Sequence, residues 1–295
     1  MTLQARVIAY PPERAAVQRW VGAGARLRIG RSPDSDLLID HASVSRTHAE
    51  ILAEGNTWRL RDLGSKNGSF IDGAPTHDAL LARACWLRIG DVHCEFAVFD
   101  AAQAAHAGAR EQLQRAQSQV MIRDIAARSN FDGLPDEVLR GVLALSGCTR
   151  GFMLLSNGDD FAVSASCFLE PRVLQGRAFS GSVGAVQRAL AQRTPVVVNN
   201  VDSEPWLAER ASVLGLGLQS LVCLPLLDGE RILGAVYADR REVGEPITQL
   251  DLELLGAFVE SAALYMLAGQ AMAALDAAPR WQAIVSAQGL AEIRG

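Results

Sequence analysis

The sequence predicts a multidomain chain. An all-β sandwich is expected over residues 1–100 and a helical linker over 101–132. An α+β domain, with an antiparallel sheet flanked by helices, is expected over 133–275, and a C-terminal tail over 276–295. Three observations carry that division. The length of 295 residues exceeds the usual size of one hydrophobic core. Up to Phe99 the apolar residues alternate in short runs bounded by Gly, Asn and Asp, the pattern of half-buried strands. At Asp100 the composition turns to Ala, Gln, Arg and Glu, and beyond Leu134 helical and strand-like segments are mixed.

In chain order, Thr2–Tyr10 and Ala25–Ile29 read as strands, with breaks at Pro11-Pro12 and Gly22-Ala23-Gly24. Leu37-Leu38-Ile39, Ala49–Leu52 and Trp58–Leu63 follow as short apolar or alternating segments. Ser69–Ile71, Cys85–Ile89 and Val92–Phe99 complete the sandwich, with Asp72-Gly73 and Gly90-Asp91 as tight turns. Asp100–Ser129 is strongly helix-forming but carries a thin apolar stripe. Leu113, Ala116, Val120 and Ala127 keep a heptad-like phase, so pairing across a dimer and a solvated linker helix are both open. Pro135-Asp136-Glu137 starts a helix that runs to Gly147. Strands at Arg150–Ser156 and Phe161–Ser166 flank an Asn157-Gly158 turn. A helix at Ser182–Gln192, strands at Pro195–Asn199 and Ser220–Leu227, a turn at Asp228–Glu230 and a strand at Arg231–Asp239 come next. Thr248 is placed to cap a last helix, Gln249 to about Leu275, with Asp251 as the acidic partner three residues on.

Composition narrows the function. The net charge of −5 gives no basic footprint for duplex nucleic acid, so no direct nucleic-acid contact is expected. No uninterrupted apolar run reaches spanning length and the N-terminus lacks a basic-then-apolar leader, so no membrane contact and a cytoplasmic location are expected. The five cysteines, Cys85, Cys94, Cys148, Cys167 and Cys223, lack CxxC spacing and sit in apolar segments, as buried free thiols do. Asp34, Asp36 and Asp40 lack the Gly and final Glu of a calcium loop, and the five histidines lack HExxH spacing. Ser45 and His48 lack an acidic orienter and a nucleophile elbow, and no GxxxxGK[ST] occurs. No enzyme activity, no metal and no cofactor are expected.

What remains is the stretch Gly30–Gly68. Gly30-Arg31, Ser45-Arg46-Thr47-His48 and Gly64-Ser65-Lys66-Asn67-Gly68 lie on loops between strands and offer donors suited to an oxyanion. Their order and spacing closely resemble the forkhead-associated (FHA) domain, a reader of phosphothreonine peptides. The resemblance implies that Arg31, Ser45, Ser65 and Asn67 contact the phosphopeptide with Arg46 and Lys66 in support. It also implies that Gly30, His48, Gly64 and Gly68 are structural. A partner phosphorylated on threonine by a Ser/Thr kinase is then expected.

The second domain resembles the GAF domain, a relative of PAS folds used for small-molecule sensing and dimerisation. The resemblance rests on Arg193–Val198, Leu218–Leu226, Gly234–Arg240 and Asp251–Leu255. The polar set of cyclic-nucleotide-binding relatives is not assembled: Asn199-Asn200 and Asp202 lie near its start, but Lys66 is the only lysine of the chain. Trp206 is expected to pack rather than to close a pocket. The combined expectation is a phosphothreonine-dependent signalling protein whose second domain senses or dimerises, forming a homodimer through the linker helix and the GAF helices. The alternatives are the sensory front part of a sigma-factor-dependent AAA+ transcription activator, whose linker Ala277–Gly295 resembles, and a GAF-based small-molecule sensor.

Overall fold

The computed structural model describes residues 3–127, 131, 133–158, 160–168, 183–199 and 219–277. Eleven strands form the first unit: β1 (Gln4–Tyr10), β2 (Val17–Val21), β3 (Arg26–Gly30), β4 (Leu37–Leu38), β5 (Ala49–Glu54), β6 (Thr57–Asp62), β7 (Ser69–Ile71), β8 (Ala74–Thr76), β9 (Asp78–Leu80), β10 (Ala84–Ile89) and β11 (Val92–Phe99). They make two sheets, ordered β2-β1-β11-β10-β7-β8 and β4-β3-β5-β6-β9. The period-two pattern holds: Ala5, Val7 and Ala9 of β1 and Val92, Cys94 and Phe96 of β11 point into the sandwich. Trp58 packs edge-on to Phe96 at its centre.

Three strands go beyond the sequence reading. β2 falls where a loop is expected, although Val17-Gln-Arg-Trp-Val alternates, and β8 and β9 are only three residues each. Asp72-Gly73 makes the expected tight turn, with φ of +47° and +83°.

Helix α1 (Ala101–Ala126) follows, and its N-terminus carries a capping signal absent from the sequence reading. The Asp100 carboxylate accepts from the Gln103 amide at 2.8 Å, while the Gln103 side chain accepts from the Asp100 amide at 3.0 Å. That is a reciprocal capping box. The second unit is α2 (Leu134–Ser146), β12 (Arg150–Asn157), β13 (Asp160–Cys167), α3 (Val183–Gln192), β14 (Val196–Asn199), β15 (Ser220–Asp228), β16 (Arg231–Arg240) and α4 (Gln249–Ala277). Its antiparallel sheet is ordered β13-β12-β16-β15-β14. Asn157 pairs with Asp160, so the hairpin turn falls one residue later than Asn157-Gly158.

Thr248 caps α4 as expected: its amide donates to the Asp251 carboxylate at 2.8 Å and the Asp251 amide donates to its hydroxyl at 3.3 Å. Residues Gln249–Leu275 are long and apolar enough to cross a membrane by length and composition, a property the sequence reading did not assign to them. One face of this helix, Leu255, Phe258, Val259, Ala262 and Met266, is built into the core beneath the sheet with α2. All five cysteines are free, and four are buried. Burial pushes the Cys94 thiol up to about 12 and that of Cys148 to about 11, so these thiols stay protonated and pack as apolar groups.

The two units touch through backbone. The Ala16 amide donates to the Ile247 carbonyl at 2.9 Å, and the Gln249 amide donates to the Ala16 carbonyl at 2.8 Å. Ile8, on the outer face of the six-stranded sheet, is 1% exposed, and Ala15 joins the core of the second unit.

Candidate functional site

The loops β3–β4, β4–β5 and β6–β7 meet at one end of the sandwich, and each expected residue is on them. Gly30 closes β3, and the reason for glycine there is space. A Cβ at Gly30 would stand 2.1 Å from the Arg46 carbonyl oxygen and 2.8 Å from the Ser35 hydroxyl. Next in the chain, the Arg31 amide donates to the Ser45 carbonyl at 2.9 Å, and its Nε donates to the Val44 carbonyl at 3.1 Å. Those bonds aim the rest of the exposed guanidinium fork outward.

His48 is completely buried and ties the β4–β5 loop to the β6–β7 loop. Its Nδ1 accepts from the Ser45 amide at 3.0 Å, which leaves Nε2 to donate to the Gly68 carbonyl at 3.1 Å. Burial holds the ring below its ordinary pKa, and the Gly68 carbonyl and Asp62 oppose this only in part, so it works as a neutral imidazole.

Beneath the tip lies Asp62, which sequence reasoning did not single out. Its Oδ1 accepts from the Gly64 and Ser65 amides at 2.9 and 2.8 Å. Its Oδ2 accepts from the Ser65 and Ser69 hydroxyls at 2.7 and 2.6 Å and lies 3.9 Å from His48 Nε2. Burial pushes this carboxyl up, but the Ser69 and Ser65 hydroxyls, the Ser65 amide and His48 together hold it below the usual carboxylate value. Gly64 and Gly68, with φ of +77° and +74°, turn the chain around it.

The structure thus divides the expected contacts. The Ser65 hydroxyl, expected to reach a ligand, gives its proton to Asp62 and accepts from the Gly68 amide at 2.9 Å. Ser45 Oγ accepts from the Lys66 amide at 3.1 Å, so its own proton is left for another acceptor. Asn67, an exposed residue, donates to the Ser43 carbonyl at 2.8 Å. Ser43, also missed from sequence, supports the adjoining turn, its hydroxyl accepting from the Asp91 amide at 2.8 Å.

Charge marks the same face. Six of the eleven arginines of the sandwich carry a carboxylate partner: Arg6 with Glu95, Arg14 with Asp40, Arg26 and Arg61 with Glu50, Arg28 with Asp36 and Arg59 with Asp78. Arg31, Arg46 and Lys66, all three exposed on the loops that meet here, form no ion pair among the described residues, and neither do Arg19, Arg83 and Arg88. Asp36 and Asp40 are engaged by Arg28 and Arg14, and Asp34 by the Ser32 hydroxyl at 3.3 Å, so they do not gather as a cation loop. In the second unit Asn199 accepts from the Ile247 amide at 2.7 Å and donates to its carbonyl at 2.9 Å, a structural use. Asn200, Asp202, Trp206 and residues 278–295 lie outside the described residues.

Comparison with known proteins agrees with this layout. Residues 27–96 match the FHA domain model and residues 131–266 the GAF domain model. The glycogen accumulation regulator GarA of Mycobacterium tuberculosis is 37% identical over 95 residues, which are 29% of this chain and 59% of that protein. An oxoglutarate dehydrogenase inhibitor of Corynebacterium jeikeium is 34% identical over 95 residues, 29% of this chain and 66% of that protein. The chain therefore spans less than two thirds of the length of these relatives. A solved structure of Mycobacterium tuberculosis EmbR in complex with a low-affinity phosphopeptide matches 30% of this chain and 24% of its own, at 30% identity and a TM-score of 0.26. Both matched domain types are binding or regulatory modules. The chain carries an FHA domain at residues 27–96 followed by a GAF domain at residues 131–266.

Proposed function

We propose that the chain is a cytoplasmic, non-catalytic signalling protein that binds a partner phosphorylated on threonine. The observation that carries this reading is the set of three cations, Arg31, Arg46 and Lys66, left without carboxylates beside the free Ser45 hydroxyl proton. A phosphothreonine brings close to two negative charges and three acceptor oxygens, which is what this set lacks. Arg31 offers the planar fork, Ser45 a short neutral bond, and Arg46 and Lys66 flanking charge. Asn67, with an amide oxygen and a second N–H unused, suits the peptide main chain, while Ser65 holds the tip through Asp62. An exposed site of this size corresponds to micromolar affinity, about −8 kcal/mol. Calorimetric titration of a phosphothreonine peptide library tests it. Arg31→Ala is expected to abolish binding that the wild type shows, and equal affinity of the two, or no binding by the wild type, overturns the reading.

A homodimer through α1 and α4 belongs to the same proposal. Leu254, Ala257, Ser261, Leu264, Ala268, Ala271 and Leu275 recur at alternating spacings of three and four along α4, and most of them are exposed. Leu113 and Val120 of α1 are exposed in the same way. Sedimentation equilibrium is expected to give a dimer that Leu264→Glu converts to a monomer. A monomeric wild type removes this part and leaves phosphopeptide binding standing.

A further inference from the structure

A cleft of about 640 Å³ lies between the two domains, away from the loop tip. Its FHA wall is the outer face of the six-stranded sheet, with Tyr10, Trp86, Arg88 and His93; its GAF wall includes Arg240 and Val243. Three features set it apart from an incidental gap. Trp86 is 53% exposed, with its ring 6.0 Å from that of Tyr10, so a large aromatic surface is left open inside a concave site. Arg240 is 5% exposed, and its buried Nε has no hydrogen-bond partner among the described residues. Among the described residues that line the cleft, two cationic side chains, Arg88 and Arg240, stand against the carboxylate of Asp72, and Glu95 accepts from the Tyr10 hydroxyl at 3.0 Å.

The β7–β10 ladder leads from the tip toward the cleft. Phe70 lies two residues past Gly68, and a Cβ on Gly68 would touch its ring at 3.5 Å. The Arg88 guanidinium lies 3.5 Å from the centroid of that ring and donates to the Gly90 carbonyl at 2.7 Å. Along the β7–β10 ladder Ser69 faces Ile89 and Phe70 faces Arg88, and one residue past Ile71 the Asp72 amide donates to the Trp86 carbonyl. From Gly68 to the Trp86 row is about four strand residues, roughly 13 Å. An extended peptide covers that distance in about four residues.

We propose that this interdomain cleft is a subsite for the residues flanking the phosphothreonine, so that both domains grip one peptide. This rests on the phosphothreonine reading of the tip. The flank that fits places an apolar side chain on Trp86 and an acidic one toward Arg88 and Arg240. The GAF wall then selects partners by sequence, beyond what the FHA loops read.

The test uses the full chain and two probes in calorimetry: degenerate phosphothreonine peptides with one residue on each side, and with six on each side. Trp86→Ala and Val243→Glu, one on each wall, are expected to weaken the long peptides about tenfold and to leave the short ones unchanged. Circular dichroism melts of both variants show whether the fold persists. If neither folded variant lowers long-peptide affinity while Arg31→Ala abolishes it, the cleft proposal is overturned and the phosphothreonine reading stands. Equal losses for short and long peptides overturn it as well. If Arg31→Ala changes nothing, the reading of the tip itself fails.

Discussion

Asp62 is the residue whose replacement tests the account of the tip most sharply. Its carboxylate is 3% exposed and accepts four hydrogen bonds, from the Gly64 and Ser65 amides and the Ser65 and Ser69 hydroxyls. Bonds to a charged acceptor contribute about 1.5–3 kcal/mol each when removed singly, and they are not additive. In Asp62→Ala the Gly64 amide, in an exposed residue, turns to water, and the Ser65 hydroxyl can reorient. The Ser65 amide and the buried Ser69 hydroxyl lose most, giving a loss of about 3 kcal/mol. Asp62→Asn keeps an oxygen for the two amides but puts an N–H donor where Oδ2 accepts from the Ser65 and Ser69 hydroxyls, so it loses the charge and those acceptor bonds, about 2 kcal/mol. Because the folded-state pKa is depressed, the contribution is fully present above the unfolded value near 3.9 and is lost as pH falls through the folded value. Urea denaturation at pH 7 and pH 3, with hydrogen exchange of the segment 60–72, measures both effects. Wild type and Asp62→Asn are expected to converge toward acid pH. A loss below about 1 kcal/mol in Asp62→Ala at pH 7, with exchange unchanged, refutes the reasoning.

Other outcomes follow from the same geometry. Gly30→Ala drives a Cβ to within 2.1 Å of the Arg46 carbonyl, so a loss of about 2 kcal/mol in denaturation and a matching fall in phosphopeptide affinity are expected. His48 is held neutral in the fold, so its contribution is complete above the unfolded value near 6.5 and is lost as pH falls below it. His48→Gln should lower stability at pH 8 and flatten the dependence between pH 7 and 5, as read by thermal melts. Ala16→Pro removes the amide that donates to Ile247, and faster exchange across 246–250 is expected without unfolding of either core.

Much of the fold was legible because the signals are local. The turn at Asp72-Gly73 needs positive φ at both residues, and an Asp-Gly pair accepts it. The α4 cap was readable from Thr248 and Asp251, since a box spans only three residues. The three loop clusters were readable as a site because their residue types are unusual together. Asp62 was not, since an acidic residue ending the alternating strand Trp58–Asp62 looks like a solvated one. Only the fold brings Ser69 and the Gly64-Ser65 amides around it. The role given to Ser65 depends on that same hidden carboxylate. The contact of the domains was also invisible, because Ile8 on the outer sheet face and Ala15-Ala16 in a loop carry no pattern that distinguishes them from ordinary edge residues.

The way charge is distributed explains why the tip can act as a preformed anion site. An exposed arginine near a carboxylate gains little from pairing, yet most arginines of the sandwich are paired. Arg31 is held in place by its Nε on the Val44 carbonyl and its amide on Ser45, with no carboxylate paired to it among the described residues. The carboxylate beneath the tip, Asp62, is buried and already takes four donors, so it does not neutralise Arg31, Arg46 or Lys66. The loops are therefore ordered by groups that face inward, His48 and Asp62, while the groups that face outward keep their charge unpaired. Ordering the loops is a cost met on folding, and a ligand that arrives later meets donors already in place.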